Sequence, residues 1–482
     1  MIFGLRDVMA VIPEAIVAGA ACLLLLVDFL IAKKRKIIVA ALSIAAVAAA
    51  AFFSLYLVGT DVMWKKVFAG MFVVDGFSTF FKFVLYLATV LSMMLSFHYV
   101  KEEDINTGEY YTLMLFSLSG MMIAASASDL LSIYVAVELM SIPVYVLVGF
   151  LQKDARSNEA AMKYVILGAF SSGVLLYGIS FIYGITGTTE LSAVAGALAD
   201  PSMHTPALSI AIIMLVAGFG FKIAGVPFHM WAPDAYEGAP TPITGFMSAG
   251  PKAAACAAVL RVFTEGLQPA YSRWVVIVAI VAVLSLVYGN IVAIAQKNIK
   301  RMLAYSSIGH VGYALLGLVA GGTEGASSVM YYMAVYAFMN LGAFSIIIMM
   351  RKGEQKGEMI EDYTGLAKTR GGMALLMLIF MFSLAGLPPT AGFIGKFYIF
   401  MALIHKGMVG LAVIAVLMSA VGAYFYIRIV MLMYMKDPVN PVETASSRGL
   451  YYALAIAAAG TILLGVYPGY FIKLAQMAGG SL

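Results

Sequence analysis

Residues 216–252 read VAGFGFKIAGVPFHMWAPDAYEGAPTPITGFMSAGPK, and the fold turns on how this stretch is read. An apolar run carries Lys222 and ends at Ala224-Gly225-Val226-Pro227. Proline withdraws a backbone donor and clashes with the preceding turn, so a helix running through this point is broken. A second apolar run opens at Thr241 and holds Lys252 directly after Pro251. An ionised side chain in mid-bilayer costs about 2.5–3.5 kcal/mol even on the lenient insertion scale. Either these runs lie outside a membrane, or the lysines serve a purpose there. Composition removes the first option. Of 482 residues, 62% are apolar and 11% charged, against about 45–50% and about 25% in soluble domains. Mean hydropathy is +0.96. A water-soluble globular protein is excluded, and at about 20 residues per span plus a connection the chain accommodates about 12–15 membrane helices.

Outward from the opening stretch, apolar windows alternate with polar breaks to give fourteen spans: 10–31, 37–58, 74–99, 111–127, 129–151, 160–184, 207–230, 241–263, 274–295, 301–320, 326–350, 371–405, 408–435 and 450–474. The fold class is an all-α polytopic membrane protein. The twelfth window is too long for one straight helix and repeats the pattern of the seventh, with Ala385-Gly386-Leu387-Pro388 before Pro389. Two breaks five spans apart, an odd number, imply inverted repeats, an arrangement that places binding sites at midplane beside discontinuous helices. The chain divides into helices 1–3 (1–110), a first repeat of helices 4–8 (111–263), an inverted second repeat of helices 9–13 (274–435), and helix 14 (450–474). If the 32–37 connection is cytoplasmic, that side collects seventeen Lys and Arg against five opposite. The positive-inside rule then puts both termini on the non-cytoplasmic side of an inner (plasma) membrane. The first apolar run is too long for a removable signal and ends in Lys33-Lys34-Arg35-Lys36 rather than a small-residue cleavage site.

Four charges lie too deep to snorkel: Glu138 in the fifth span, Lys222 in the seventh, Lys252 in the eighth and Lys396 in the twelfth. One acid cannot neutralise three lysines, so a purely structural ion pair leaves two cations unexplained. Buried lysines whose proton affinity responds to a nearby carboxylate form a proton path. Four further residues, His310, Tyr305, Lys163 and His229, are candidate relays. His310 lies about ten residues into its span beside Tyr305, Ser306 and Ser307, and either relays protons or holds helices together. Lys163, near a span end, relays or snorkels. His229, two residues past Pro227, relays or serves the carbonyls freed at the break. Lys82 reads as a weaker snorkelling lysine, and Asp28, Asp75 and Asp129 as solvated caps. The Met, Phe and Tyr residues read as lipid-facing and packing material. Two cysteines, scattered histidines and no phosphate loop suggest that the chain binds no cofactor or metal of its own.

These residues, with VELMSIPVYVLVGF (137–150), EAAMKYVILGAFSSGVLLYGISFIYGITGTTEL (159–191), NIKRMLAYSSIGHVGYALLGL (298–318) and SLAGLPPTAGFIGKFYIF (383–400), resemble the subunit N family of bacterial NADH–quinone oxidoreductase, respiratory complex I, over essentially the whole chain. The resemblance implies a fourteen-helix antiporter-like fold, with Glu138, Lys222, Lys252 and Lys396 at the proton-translocating positions and His310 at the polar position of the tenth helix. It also implies that FMN, iron–sulfur clusters, NADH and quinone are bound by partner subunits. The implied partners are other complex I membrane subunits, including a neighbouring antiporter-like one, and membrane lipids, with no nucleic acid. A lysine at 396, and the absence of a lateral helix after the last span, favour subunit N over its siblings. Rival readings are a subunit of a multisubunit Na⁺/H⁺ antiporter or of a related membrane-bound hydrogenase.

Overall fold

The structure, a computed structural model, describes residues 4–31, 36–60, 62–63, 65–105, 107–351, 357–438, 444–445 and 447–482. Lys33, Lys34, Arg35, Lys352 and Lys356, which contribute to the orientation count, lie outside the described residues. The chain is nearly all helical. Its membrane-crossing elements are α1 (Ile12–Asp28), α2 (Ile37–Val58), α3 (Gly76–Glu102), α4 (Glu109–Ser126), α5 (Leu130–Val148), α6 (Ala155–Thr186), α7 (Pro206–Ile223), α8 (Thr241–Arg261), α9 (Tyr271–Ile294), α10 (Ile299–Ala320), α11 (Gly322–Met349), α12a (Gly371–Ala385) with α12b (Ala391–His405), α13 (Val409–Met435) and α14 (Arg448–Val466). Eleven described helices are long and apolar enough to cross a membrane. The 17-residue α1, the 18-residue α4 and the broken α12 complete the fourteen.

Two boundaries differ from expectation. The seventh window does not continue as helix to residue 230. α7 stops at Ile223, and a separate short helix, Trp231–Gly238, follows the break. The fourteenth window is interrupted at Pro468, where an amphipathic helix Pro468–Gly479 begins. A small antiparallel hairpin, β1 (Lys65–Val67) with β2 (Phe72–Val74), precedes α3.

Helices five spans apart start and stop in matching ways. α5 is capped by Asp129, whose carboxylate accepts from the amides of Leu131 and Ser132 at 2.9 and 3.0 Å. α10 is capped by Asn298 in the same manner, from Lys300 and Arg301 at 2.9 and 3.1 Å. Each cap residue also forms an isolated β-bridge, Asp129 with Glu190 and Asn298 with Met359. α7 and α12a end alike as well. Ala224 (φ 60°) and Gly386 (φ 81°) turn into the left-handed region. The next amide closes a bond five residues back, Gly225 to Gly220 at 2.7 Å and Leu387 to Phe382 at 3.0 Å. Such a stop in mid-span leaves the last carbonyls of the half-helix without helical donors.

α8 is buried along its whole length, and in α10 every residue but Arg301 is buried. These two helices form the axis around which the others pack. Several charges expected at solvated ends are instead buried and paired. Asp75 caps α3 through the Ser78 amide at 2.7 Å and takes both oxygens' bonds from Arg261 at 3.0 Å. Asp28 pairs with Lys36 at 2.7 Å, and Asp129 is buried at its cap. Lys82 does not snorkel. It is buried and paired with Glu14 of α1 at 2.7 Å, because an unpaired ammonium there would carry its full desolvation cost.

Candidate functional site

The four deep charges fall into three clusters. In the first, Glu138, Ser141 and Tyr145 lie at i, i+3 and i+7 on α5, one face of the helix. Lys222, two residues before the left-handed stop of α7, reaches that face. Its ammonium donates to Glu138 at 2.9 Å, to Ser172 of α6 at 3.2 Å, and to Ser141 and the Tyr145 hydroxyl at 3.3 Å each. Ser172 in turn donates to Glu138. The lysine side chain is 3% exposed and the glutamate 22%, so the cation is sealed in while the acid keeps an opening toward the α5 surface.

The second cluster is centred on Lys252. Its ammonium donates to Ser307 of α10 and sits 5.1 Å from the centre of the Tyr236 ring. The Tyr236 hydroxyl is 3.4 Å from Ser307. Counted from the matching caps Asp129 and Asn298, Ser307 occupies in α10 the position of Glu138 in α5. A hydroxyl in α10 therefore stands where α5 has a carboxylate.

The third cluster joins α10, α11, α12 and α13. Tyr426 bridges Ser306 and His310 Nε2, the latter at 3.1 Å, while His310 Nδ1 lies 2.5 Å from the Tyr332 hydroxyl. A neutral imidazole donates from one nitrogen and accepts at the other, so a proton taken on one side and released on the other exchanges its tautomers. Lys396, six residues into α12b, reaches back across the break. It donates to the carbonyls of Leu384 and Ala385 at 3.1 and 2.9 Å, and to Ser419 at 3.0 Å. Those carbonyls are the ones freed by the stop at Gly386. The Tyr313 ring lies 4.8 Å from Lys396 and its centroid 6.2 Å from that of His310.

All three lysines thus lie over a tyrosine ring, since Lys222 is 5.9 Å from the centre of Tyr145. In a dry setting such a contact is worth about 2 kcal/mol to a cation. Among the described residues, neither Lys252 nor Lys396 has a carboxylate within ion-pair distance.

The remaining relay candidates lie elsewhere. Lys163 is 45% exposed and paired with Glu159 and Asp234, each at 2.8 Å. Asp234 also accepts from Arg301 at 2.8 Å. Burial pushes its carboxyl up, but the hydrogen bonds from Lys163 and Arg301 outweigh that and hold it below the ordinary carboxylate range. The Tyr305 ring lies tilted 6.2 Å from that of Tyr288, and Tyr288 meets His229 edge to face at 4.6 Å. These residues form a separate polar strip at the face that carries the basic connections. Among the described residues, no group of three or more His, Cys, Asp or Glu could hold a metal ion.

Sequence reasoning missed the tyrosines. Tyr145, Tyr236, Tyr313, Tyr332 and Tyr426 are not mere packing; each hydrogen-bonds to, or lies under, a charged or imidazole side chain. For Tyr145 the signal was present, seven residues after Glu138 on one helical face.

Residues 127–422 match the family described as NADH:quinone oxidoreductase/Mrp antiporter, transmembrane. A Rhizobium meliloti (strain 1021) protein named NADH-quinone oxidoreductase subunit N 2 is 53% identical over 474 residues, covering 98% of each chain. One from Trichlorobacter lovleyi named NADH-quinone oxidoreductase subunit N is 46% identical over 414 residues, covering 85% of each. Among solved structures, a chain of respiratory complex I from Thermus thermophilus with bound aureothin matches with a TM-score of 0.82 at 32% identity, over 96% of this chain and 100% of that one. A chain of the Mrp complex from Dietzia sp. DQ12-45-1b matches with a TM-score of 0.82 at 20% identity, over 98% and 97%, which is a likeness of fold alone.

Proposed function

This chain belongs to the subunit N family of NADH–quinone oxidoreductases, and from that premise we propose that it moves protons along a mid-membrane row formed by Glu138, Lys222, Lys252, His310 and Lys396. The chain is an antiporter-like membrane subunit of a proton-translocating oxidoreductase. Electron transfer from NADH to quinone, with the FMN and iron–sulfur clusters it needs, belongs on this reading to partner subunits, and the neighbours of this chain in the membrane include another antiporter-like subunit. The proposed repeats are 111–263 and 274–435, supported by the matched caps of α5 and α10 and the matched stops of α7 and α12a. The face bearing most Lys and Arg is proposed as cytoplasmic, which leaves both termini on the other side of an inner membrane.

The observation that carries the proposal is the placement of three buried lysines on successive polar clusters with one acid at the end of the row. A charge change at Glu138 alters how firmly Lys222 keeps its proton. The field passes to Lys252, and then through Ser307, Ser306, Tyr426 and His310 to Lys396. Between Lys222 and Lys252, which share no direct contact among the described residues, ordered water supplies the link, since each buried water needs about 2–4 polar partners. His229, Tyr305 and Lys163 are proposed as a side strip feeding the α7 break from the basic face. The stand-alone Na⁺/H⁺ antiporter and hydrogenase readings share the fold, but the high-identity relatives carry the subunit N name.

The test is Lys252→Met in the assembled complex, which keeps length and removes charge. The expected result is assembly with electron transfer retained in part and protons pumped per electron reduced. An unchanged proton-to-electron ratio would remove Lys252 from the row.

A further inference from the structure

The left-handed stops of α7 and α12a differ by one methyl group. The first is Ala224 (φ 60°, ψ 41°) and the second Gly386 (φ 81°, ψ 44°). Ala224 carries a side chain through the turn, so the stop as such does not demand glycine. The space around position 386 does. A Cβ there would stand 2.8 Å from Cδ of Lys396, 3.1 Å from its Nζ and 3.3 Å from its Cε. These three nearest atoms all belong to the lysine, whose far end lies where a side chain at 386 would begin. Its ammonium donates to the carbonyls of Leu384 and Ala385, the two residues immediately before the glycine, at 3.1 and 2.9 Å. A second glycine brings the half-helices close enough for this. A Cβ at Gly392 would fall 1.7 Å from the Ser383 carbonyl oxygen, and the Gly392 amide donates to the Ser383 hydroxyl at 3.1 Å. The first turn of α12b is thus stitched to the last turn of α12a. Lys396, four residues after Gly392 and on the same helical face, is carried back over the stop.

We propose that Gly386 is a positioning residue for proton transfer: its missing side chain is the seat on which Lys396 lies, and this seat fixes the ammonium on the two freed carbonyls. The proposal rests on the reading of Lys396 as a proton site. Given a Cβ at 386, the part that yields is the flexible end of the lysine rather than the backbone around the stop. Ordinary carbon–carbon contact begins at about 3.5 Å, so Cδ must retreat by about 0.7 Å, and it draws the ammonium off its carbonyls. The fold tolerates the added methyl group, while the site loses its geometry.

The test is Gly386→Ala in the purified, assembled complex, read as protons pumped per electron and as the position of the Lys396 ammonium in a cryo-electron-microscopy map. Gly407→Ala is the control for backbone strain. Gly407, just past the end of α12b, has nearly the same φ (78°), and no atom lies within 4 Å of a Cβ there. The expected result for Gly386→Ala is an ammonium displaced from both carbonyls and a loss of pumped protons approaching that of Lys396→Met. Gly407→Ala should stay at the wild-type ratio. The double variant Gly386→Ala/Lys396→Met should pump no worse than Lys396→Met alone, because a seat has no effect once its lysine is gone, whereas a general defect in α12 would add to the loss. With Lys396→Met lowering the ratio, a wild-type ratio or an unmoved ammonium in Gly386→Ala would overturn the proposal. So would an equal loss in Gly407→Ala or a further loss in the double variant. An unchanged ratio in Lys396→Met itself would instead remove the proton-site reading, and the map alone would then decide the seat, kept by a displaced ammonium and ended by an unmoved one. Gly386→Asn brings the same Cβ and enters the left-handed region more readily than alanine, so it takes the place of Gly386→Ala where alanine hinders assembly.

Discussion

The breaks at α7 and α12 are built alike and used differently. Both half-helices end in a left-handed residue and a bond from the following amide five residues back. At the first, the lysine lies before the stop and turns away from it to Glu138, Ser141, Tyr145 and Ser172. At the second, the lysine lies after the stop and reaches back to the freed carbonyls of Leu384 and Ala385, with Ser419 as its third partner. One cation is held by a charge that can itself change. The other is held by fixed dipoles of a helix C-terminus, which favour cations whatever the state of the neighbours. A responsive site at one end and a constant one at the other suits the proposed row, in which a signal received at Glu138 would deliver a proton at Lys396.

The comparison is broken most severely by Glu138→Gln, which keeps shape and removes the responsive charge. Taking one partner from a buried ion pair costs about 3–5 kcal/mol, less here because the acid is 22% exposed. Pumping in the assembled complex should fall at least about tenfold, since tenfold needs only about 1.4 kcal/mol. Glu138→Asp, one methylene shorter but still charged, should retain part of the activity. Wild-type pumping in Glu138→Gln would reduce the pair to a structural contact. A finer test sets Ser419→Ala against Ser141→Ala. Each removes one hydroxyl from a lysine, worth about 1 kcal/mol. Lys396 then keeps no side-chain hydrogen-bond partner, while Lys222 keeps three. Ser419→Ala should lower the proton-to-electron ratio more than Ser141→Ala, and equal effects would mean that the two sites are held in the same way.

Much of this was legible in the sequence for a physical reason. Charges in apolar runs are costly, so Glu138, Lys222, Lys252 and Lys396 stand out without any structure. Pro227 and Pro388 announce the breaks because proline cannot sustain a helix interior. What the sequence concealed was pairing across helices. Lys82 and Glu14 lie 68 residues apart, and nothing local distinguishes a lysine that pairs in the interior from one that snorkels. The tyrosines were hidden for a related reason, because an aromatic ring packs equally well against lipid or beneath an ammonium. Where α7 ends was obscured because residues 224–230 are as apolar as a helix, and only the backbone shows that Ala224 has already turned.

The central claim is that Lys396 gives up a proton rather than supplying a fixed positive charge. Lys396→Arg separates these two roles. A guanidinium keeps the charge, can still donate to the carbonyls of Leu384 and Ala385, and does not release its proton. The direct measurement is protons pumped per electron by the assembled complex carrying Lys396→Arg, with NADH–quinone electron transfer followed in the same preparation. That ratio is expected to fall while the complex remains assembled. An undiminished ratio would contradict it and end the row before Lys396.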